Sequence, residues 1–175
     1  MGFSSFDLLD AHVVGGSADH DALRSGPTTW TYARLLEEVS AFGGVLRHCG
    51  VGRGDRVAVA LPDGPEAVVA VLAAARIGAS PHRSDAPAGE LVLVTASSET
   101  AALRTAEAAV VLVKQRAGEP WELREGRDYD WDVVMRAGRT DPAPLAEGAE
   151  LDTGDPAVRS WAEVLRTGGT VVLPE

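Results

Sequence analysis

One short run in this 175-residue chain holds the residue types that grip anions: Ser97 and Ser98, which follow the apolar run Leu91–Ala96 and precede a helix pattern. Hydroxyls and glycine amides at the start of a helix suit phosphate or carboxylate, because the first N–H groups are unpaired and carry partial positive charge. The loop Pro62–Gly64 is a second strand-to-helix junction of this kind. Asp63, Glu66 and Glu99 oppose that use, since they put negative charge at the same junctions. The plainer reading of Ser97 or Ser98 is a helix cap.

Other chemistries find less. Neither serine lies in G-x-S-x-G, so no nucleophile elbow is present. His12, His20, His48 and His82 are scattered without metal-ligand spacing and read as surface or capping residues. Cys49 is the only cysteine, which excludes an internal disulfide and a cysteine-based zinc cluster. It lies at a helix C-terminus, where the negative dipole end opposes a thiolate. Gly50, Gly52 and Gly54 precede a strand, so they form a turn and not a dinucleotide fingerprint. Lys114, the only lysine, reads as a solvated strand end. Catalytic residues and metal ligands are therefore expected to be none.

The formal charge of −10 disfavours nucleic acid and anionic membranes as partners. The longest apolar run, Ala67–Ile77, is interrupted by Arg76 and falls short of the roughly 20 residues a span requires. Met1–Asp10 has no basic stretch followed by an apolar one, and the expected compartment is the cytoplasm. Trp30, Trp121, Trp131 and Trp161 read as core anchors, not base-stacking platforms.

These residues need elements to position them. Phe3–Gly26 reads as a short helix and a loop. Thr31 is an N-cap for a helix over Tyr32–Cys49, whose Leu35, Val39, Phe42 and Leu46 share one face. Gly50 ends that helix. Strand Arg56–Leu61 follows, then a helix opened by Pro65 and closed at Gly78. Strand Leu91–Ala96, a helix to about Ala109, strand Val110–Lys114 and a helix Trp131–Ala137 capped by Asp130 complete the pattern. Strands alternating with helices predict an α/β fold with a parallel sheet and flanking helices in three layers. Three segments result: an αβ unit over 1–138, an acidic Pro-containing linker over 139–155, and a helix plus C-terminal strand over 156–175 packing back on the sheet.

The stretch Thr29–Ala79 resembles the N-terminal region of the adenylate-forming (AMP-binding) acyl-CoA synthetases, nearest the acetyl- and propionyl-CoA branch. The resemblance rests on Trp30-Thr31-Tyr32-Ala33, Gly52-x-Gly54-Asp55-Arg56-Val57, Leu61-Pro62 with Pro65-Glu66, and Ala75-Arg76-Ile77-Gly78-Ala79. Weaker likenesses are the leader LLDAHVVGGSADHDAL, Glu125-Gly126-Arg127-Asp128 with Trp131-Asp132, and Asp155-Pro156-Ala157. The fold this implies is a flavodoxin-like subdomain of an adenylate-forming enzyme.

The departures matter equally. The family follows Asp-Pro-Ala with a Ser/Thr/Gly-rich loop that holds ATP phosphates, whereas VRSWAEVLRTGGTVVLPE follows here. Thr167-Gly168-Gly169-Thr170 is either a relic of that loop or a later Gly-Gly-Thr-Val-Val strand brought forward by an internal deletion. The second is favoured, because a helix pattern precedes it and Val-Val-Leu follows. A segment after Ala79 is also shortened, leaving Ser80, Pro81, His82 and a turn-like run over 83–90. The family's catalytic lysine and its adenine and ribose segments have no counterpart. The resemblance thus implies a truncated, non-catalytic homologue acting as a binding or accessory protein. Its partner is expected to be a second copy or another protein covering an exposed sheet face. No cofactor is expected. ATP, AMP or CoA enters only under the alternative, a split AMP-forming ligase completed by another chain.

Overall fold

The computed structural model describes residues 2–84 and 89–174. Its centre is a five-stranded parallel sheet of β4 (Arg56–Ala60), β5 (Ser80–Arg83), β6 (Val92–Ala96), β7 (Val110–Lys114) and β8 (Asp128–Asp130), in the order β5-β4-β6-β7-β8. The middle strands are nearly continuous runs of Val, Ala and Leu, as expected where both faces are buried. One face packs Val57, Val59, Val92, Val94 and Leu112 against helices α1 (Tyr32–His48), α2 (Pro65–Arg76) and α4 (Trp131–Gly138). The other packs Ala58, Ala60, Leu93, Val111 and Val113 under α3 (Thr100–Thr105), Trp121 and Leu123. The expected three-layer α/β architecture is present. The expected uncovered sheet face is not found on β4, β6 and β7, because the chain's own helices and the 116–127 segment cover both sides.

Helix α1 follows its sequence pattern closely. The Thr31 side chain accepts from the Arg34 amide at 3.2 Å, and Gly50 takes φ 87° just past the C-cap. Leu35, Val39, Phe42 and Leu46 are each at most 1% exposed. Burying such a side chain contributes roughly 1.5–3 kcal/mol. Phe42 stacks on Trp131 with ring centroids 4.3 Å apart, and Trp161 is 8% exposed, so these tryptophans are core anchors.

Several segments differ from the sequence reading. Phe3–Gly26 contains the expected helix, over 5–17, but also two strands in place of a plain loop. It holds β1 (Phe3–Ser4), two π-helical turns (Phe6–Asp10 and Val13–Ser17) and β2 (Asp21–Ser25). β2 pairs antiparallel with β3 (Thr28–Thr31) across Gly26-Pro27, Gly26 having φ 52°. Both strands are short and half polar, so alternation alone does not mark them. β5 occupies part of the presumed turn after Ala79. Of that run over 83–90, residues 85–88 lie outside the described residues. Helix α3 ends at Thr105 and begins after Glu99, which makes no side-chain cap. Ser97 and Ser98 therefore do not cap it.

The segment 139–155 is seated on the helices and not free. The Ala143 amide donates to Ser40 O at 2.8 Å, and the Ala146 amide to Arg76 O at 2.9 Å. Buried Arg76 donates from Nε to Ala143 O at 3.0 Å and pairs through Nη1 with Asp10 at 2.8 Å. Within the segment, β9 (Glu150–Leu151) pairs with β1. Helix α5 (Pro156–Arg166) starts on Asp155, whose carboxylate accepts from the Ala157 and Val158 amides. The final strand β10 (Val171–Leu173) does not join the parallel sheet. It pairs parallel with β2, forming a separate sheet in the order β10-β2-β3.

Candidate functional site

The strand order locates the place where this architecture binds ligands. From β4 the chain passes through α2 to β5 on one side, then crosses to β6 on the other, so the winding reverses at β4. Open parallel sheets hold ligands outside the carboxyl ends of the strands at such a reversal. Here that crevice is bounded by the loop Leu61–Gly64 after β4, by Arg83 at the end of β5, by Ser97–Glu99 after β6 and by Lys114–Arg116 after β7.

Every cation described there is paired with a carboxylate. Arg83 binds Asp63 Oδ1 through Nη1 at 2.6 Å and Leu61 O through Nη2 at 2.8 Å. Its guanidinium lies 5.3 Å from the Trp161 ring centroid. Across β4, Arg116 faces Glu66 at 3.4 and 3.5 Å. Lys114 ends β7 as expected, and its Nζ binds the exposed Asp132 at 2.7 Å. The start of α2 carries Glu66 in its first turn, which places a fixed carboxylate where an incoming anion would meet the helix dipole. A shallow cavity of about 350 Å³ beside Arg83 is lined also by Asp155. Among the described residues no group of three or more His, Cys, Asp or Glu is arranged to hold a metal ion.

The two serine and threonine–glycine runs are far apart in role. Ser97 is buried, and its hydroxyl accepts from the Arg116 amide at 2.7 Å while its own amide donates to Lys114 O at 2.9 Å. It ties β6 to the end of β7. Ser98 follows it into the crevice, half-buried. Thr167–Thr170 lies elsewhere, between α5 and the small sheet. The Gly168 and Gly169 amides donate to Leu165 O and Val164 O, closing the helix with Gly168 at φ 76°. Thr167 Oγ1 donates to Val164 O at 2.9 Å and Thr170 Oγ1 to Asp21 O at 2.8 Å. Tyr32 Oη donates to Gly169 O at 2.7 Å and lies 3.2 Å from Leu165 O, and burial pushes its phenol up to about 12. The structure therefore does not bring the two runs together.

Sequence reasoning missed Arg83 and Arg116 as crevice residues. Their partners, Asp63 and Glu66, are 20 and 50 positions away, beyond any helix or strand spacing rule.

A family model described as AMP-binding enzyme matches residues 10–170. The chain belongs to that family. Among its relatives, the acetyl-coenzyme A synthetase of Streptomyces coelicolor is 37% identical over 98% of this chain and 26% of its own length. That of Syntrophus aciditrophicus is 31% identical over 98% of this chain and 30% of its own length. The chain thus spans less than a third of the length of these curated relatives. The alignment with the Syntrophus protein runs over 202 positions, more than the chain's 175 residues, so this chain is internally shorter than that relative. In fold, the Brucella canis acyl-CoA synthetase matches all of the chain with TM-score 0.75 at 20% identity, covering 43% of that structure. Among the described residues no helix is long and apolar enough to cross a membrane.

Proposed function

We propose that residues 1–175 act as a non-adenylating accessory module, an acyl-CoA-synthetase-like subdomain that works by contact with a protein and not by activating a carboxylate. The observation that carries this reading is the neutralised crevice. Carboxylate activation requires donors and a metal on the triphosphate, and a cation for the charge that develops at the α-phosphorus. Here Arg83, Arg116 and Lys114 are each held by an acid, and the Ser97 hydroxyl is engaged by a backbone amide. Contact with a protein is supported by the open side of β10, an edge strand on which Val172 is 70% exposed. The occupant is a second copy or another chain, and no cofactor takes part.

Pyrophosphate exchange with acetate or propionate, ATP and Mg²⁺ tests the first half. No exchange above a protein-free blank is expected, and acyl-AMP formation by the chain alone overturns it. Light scattering tests the second half, because a strictly monomeric chain that retains no partner refutes contact as its mode of action.

A second reading is supported by the completeness of the fold match. All of this chain superimposes on part of a synthetase, so its surfaces suit docking of a chain that supplies a nucleotide loop and lid. The chain is then one component of a split AMP-forming ligase. Pyrophosphate release only on mixing the two chains is the expected signature.

A further inference from the structure

Away from the crevice, a groove of about 460 Å³ runs along the outer side of α1, between the turn holding Val13 and the segment at Arg139–Pro142. It shares no residue with the crevice and does not depend on the reading above. Its apolar lining includes Val13, Ala33, Leu36 and Pro142, and two guanidiniums flank it. Both are fixed by one acid. Glu38, 5% exposed, takes Arg34 Nη2 at 2.8 Å on Oε1 and Arg139 Nη2 at 2.9 Å on both oxygens. Arg34 is further steadied by Trp30, whose ring centroid lies 5.9 Å from its guanidinium carbon.

Two arginines on one carboxylate leave one positive charge that, among the groove-lining residues, only Glu37 offsets, and each spends only one terminal nitrogen on Glu38 among the described contacts. The side chains of Arg34 and Arg139 are 50% and 46% exposed, so their other N–H groups are open to a ligand. A guanidinium fork already oriented by a buried acid loses little freedom on gripping an oxyanion. The volume falls within the range of small-molecule sites. We infer that this groove binds an amphipathic oxyanion, a phosphate- or carboxylate-headed molecule with a short apolar body, its head on Arg34 and Arg139 and its body along α1. Glu37 is the acid in the groove lining itself, and it opposes an anionic head.

The test is an NMR titration of the ¹⁵N-labelled chain with octyl phosphate, octanoate, inorganic phosphate and octanol. Saturable shifts at Ala33, Ser40 and Ala41 are expected with octyl phosphate or octanoate, and which of the two binds tighter identifies the head group. Inorganic phosphate is expected to bind at least tenfold more weakly, for want of the apolar body. Arg34→Gln and Arg139→Gln should each weaken binding about tenfold, and Glu37→Gln should strengthen it about twofold. If Arg139→Gln fails to fold, the half-exposed Arg34 variant decides. Equal binding of octanol, affinity unchanged in both arginine variants, or no saturable shift with either anion overturns the inference.

Discussion

The hydroxyl of Tyr32, at the first turn of α1, donates to the carbonyl of Gly169, at the end of α5, over 2.7 Å and 137 positions of sequence. Tyr32 is fully buried, and the Leu165 carbonyl lies within 3.2 Å of the same oxygen. One phenol thus fixes the turn that delivers the chain into β10.

Tyr32→Phe removes the donor to the part-buried Gly169 carbonyl, while Leu165 O keeps the Gly168 amide. A loss of about 1–2 kcal/mol in urea unfolding is expected, with the amides of residues 165–173 the first to lose exchange protection. The phenol also sets a pH limit. Its folded value, about 12, is raised by burial above the ordinary 10.0, so the protonated form is favoured by folding. The stabilisation is complete below pH 10 and lost as pH rises toward 12. Absorbance at 295 nm should show a late-titrating tyrosine that Tyr32→Phe abolishes.

Asp128 gives the opposite dependence. Burial by itself raises its carboxyl pKa, but bonds from the Arg127 guanidinium, the Arg124 amide and Trp121 Nε1 outweigh burial and hold it below the usual carboxylate value. That stability is present above the unfolded pKa of 3.8 and is lost as pH falls through the lower folded value. Asp128→Asn should cost about 2 kcal/mol at neutral pH and flatten the acid limb of the stability curve. Exposure of Trp121 to a fluorescence quencher should rise in the variant.

Gly138 lets α4 approach α1 at backbone distance, and Gly44 lets the 139–155 segment do the same. A Cβ on Gly44 would lie 2.2 Å from Asp141 O, and one on Gly138 would lie 2.3 Å from Ala41 O. Ala at Gly138 must push α4 off α1, and Ala at Gly44 must push the 139–155 segment off α1, each at about 3 kcal/mol. Gly154→Ala meets nothing within 4 Å and should be neutral or slightly stabilising. Thermal melts of the three variants compare directly.

Neutralisation of the crevice is tested by undoing it. Asp63→Asn with Glu66→Gln leaves Arg83 and Arg116 without their acids. The double variant should bind inorganic phosphate or ATP at least tenfold more tightly than the parent in calorimetry. Equal affinity would show that the two ion pairs do not govern access.

Arg76 is buried, 8% exposed. Arg76→Ala strands the Asp10 carboxylate and the Ala143 carbonyl together and should cost about 3–5 kcal/mol. Limited proteolysis should then cut within 139–155, a segment the parent holds against α1 and α2.

What the sequence determined by itself was local. The Thr31 cap, the spacing of Leu35, Val39, Phe42 and Leu46, Pro65 at a helix start and the unbroken Val-Ala strands each encode their element within a few residues. In such cases periodicity and capping chemistry act before any distant contact forms. The family motifs lie in those same stretches. Ser97 and Ser98 show where local reading stops: a serine before a helix pattern has the chemistry of a cap, yet Ser97 Oγ meets the Arg116 amide because β6 and β7 pair side by side. Likewise β2 and β3 are short and half polar, and become strands only through each other and β10. The acidic run 139–155 has a linker's composition but is held by Arg76 and by glycines on other helices. Whether Arg83 and Arg116 are free cations or neutralised ones was decided only by tertiary structure, because Coulomb pairing depends on distance in space, and the fold alone sets that for residues 20 and 50 positions apart.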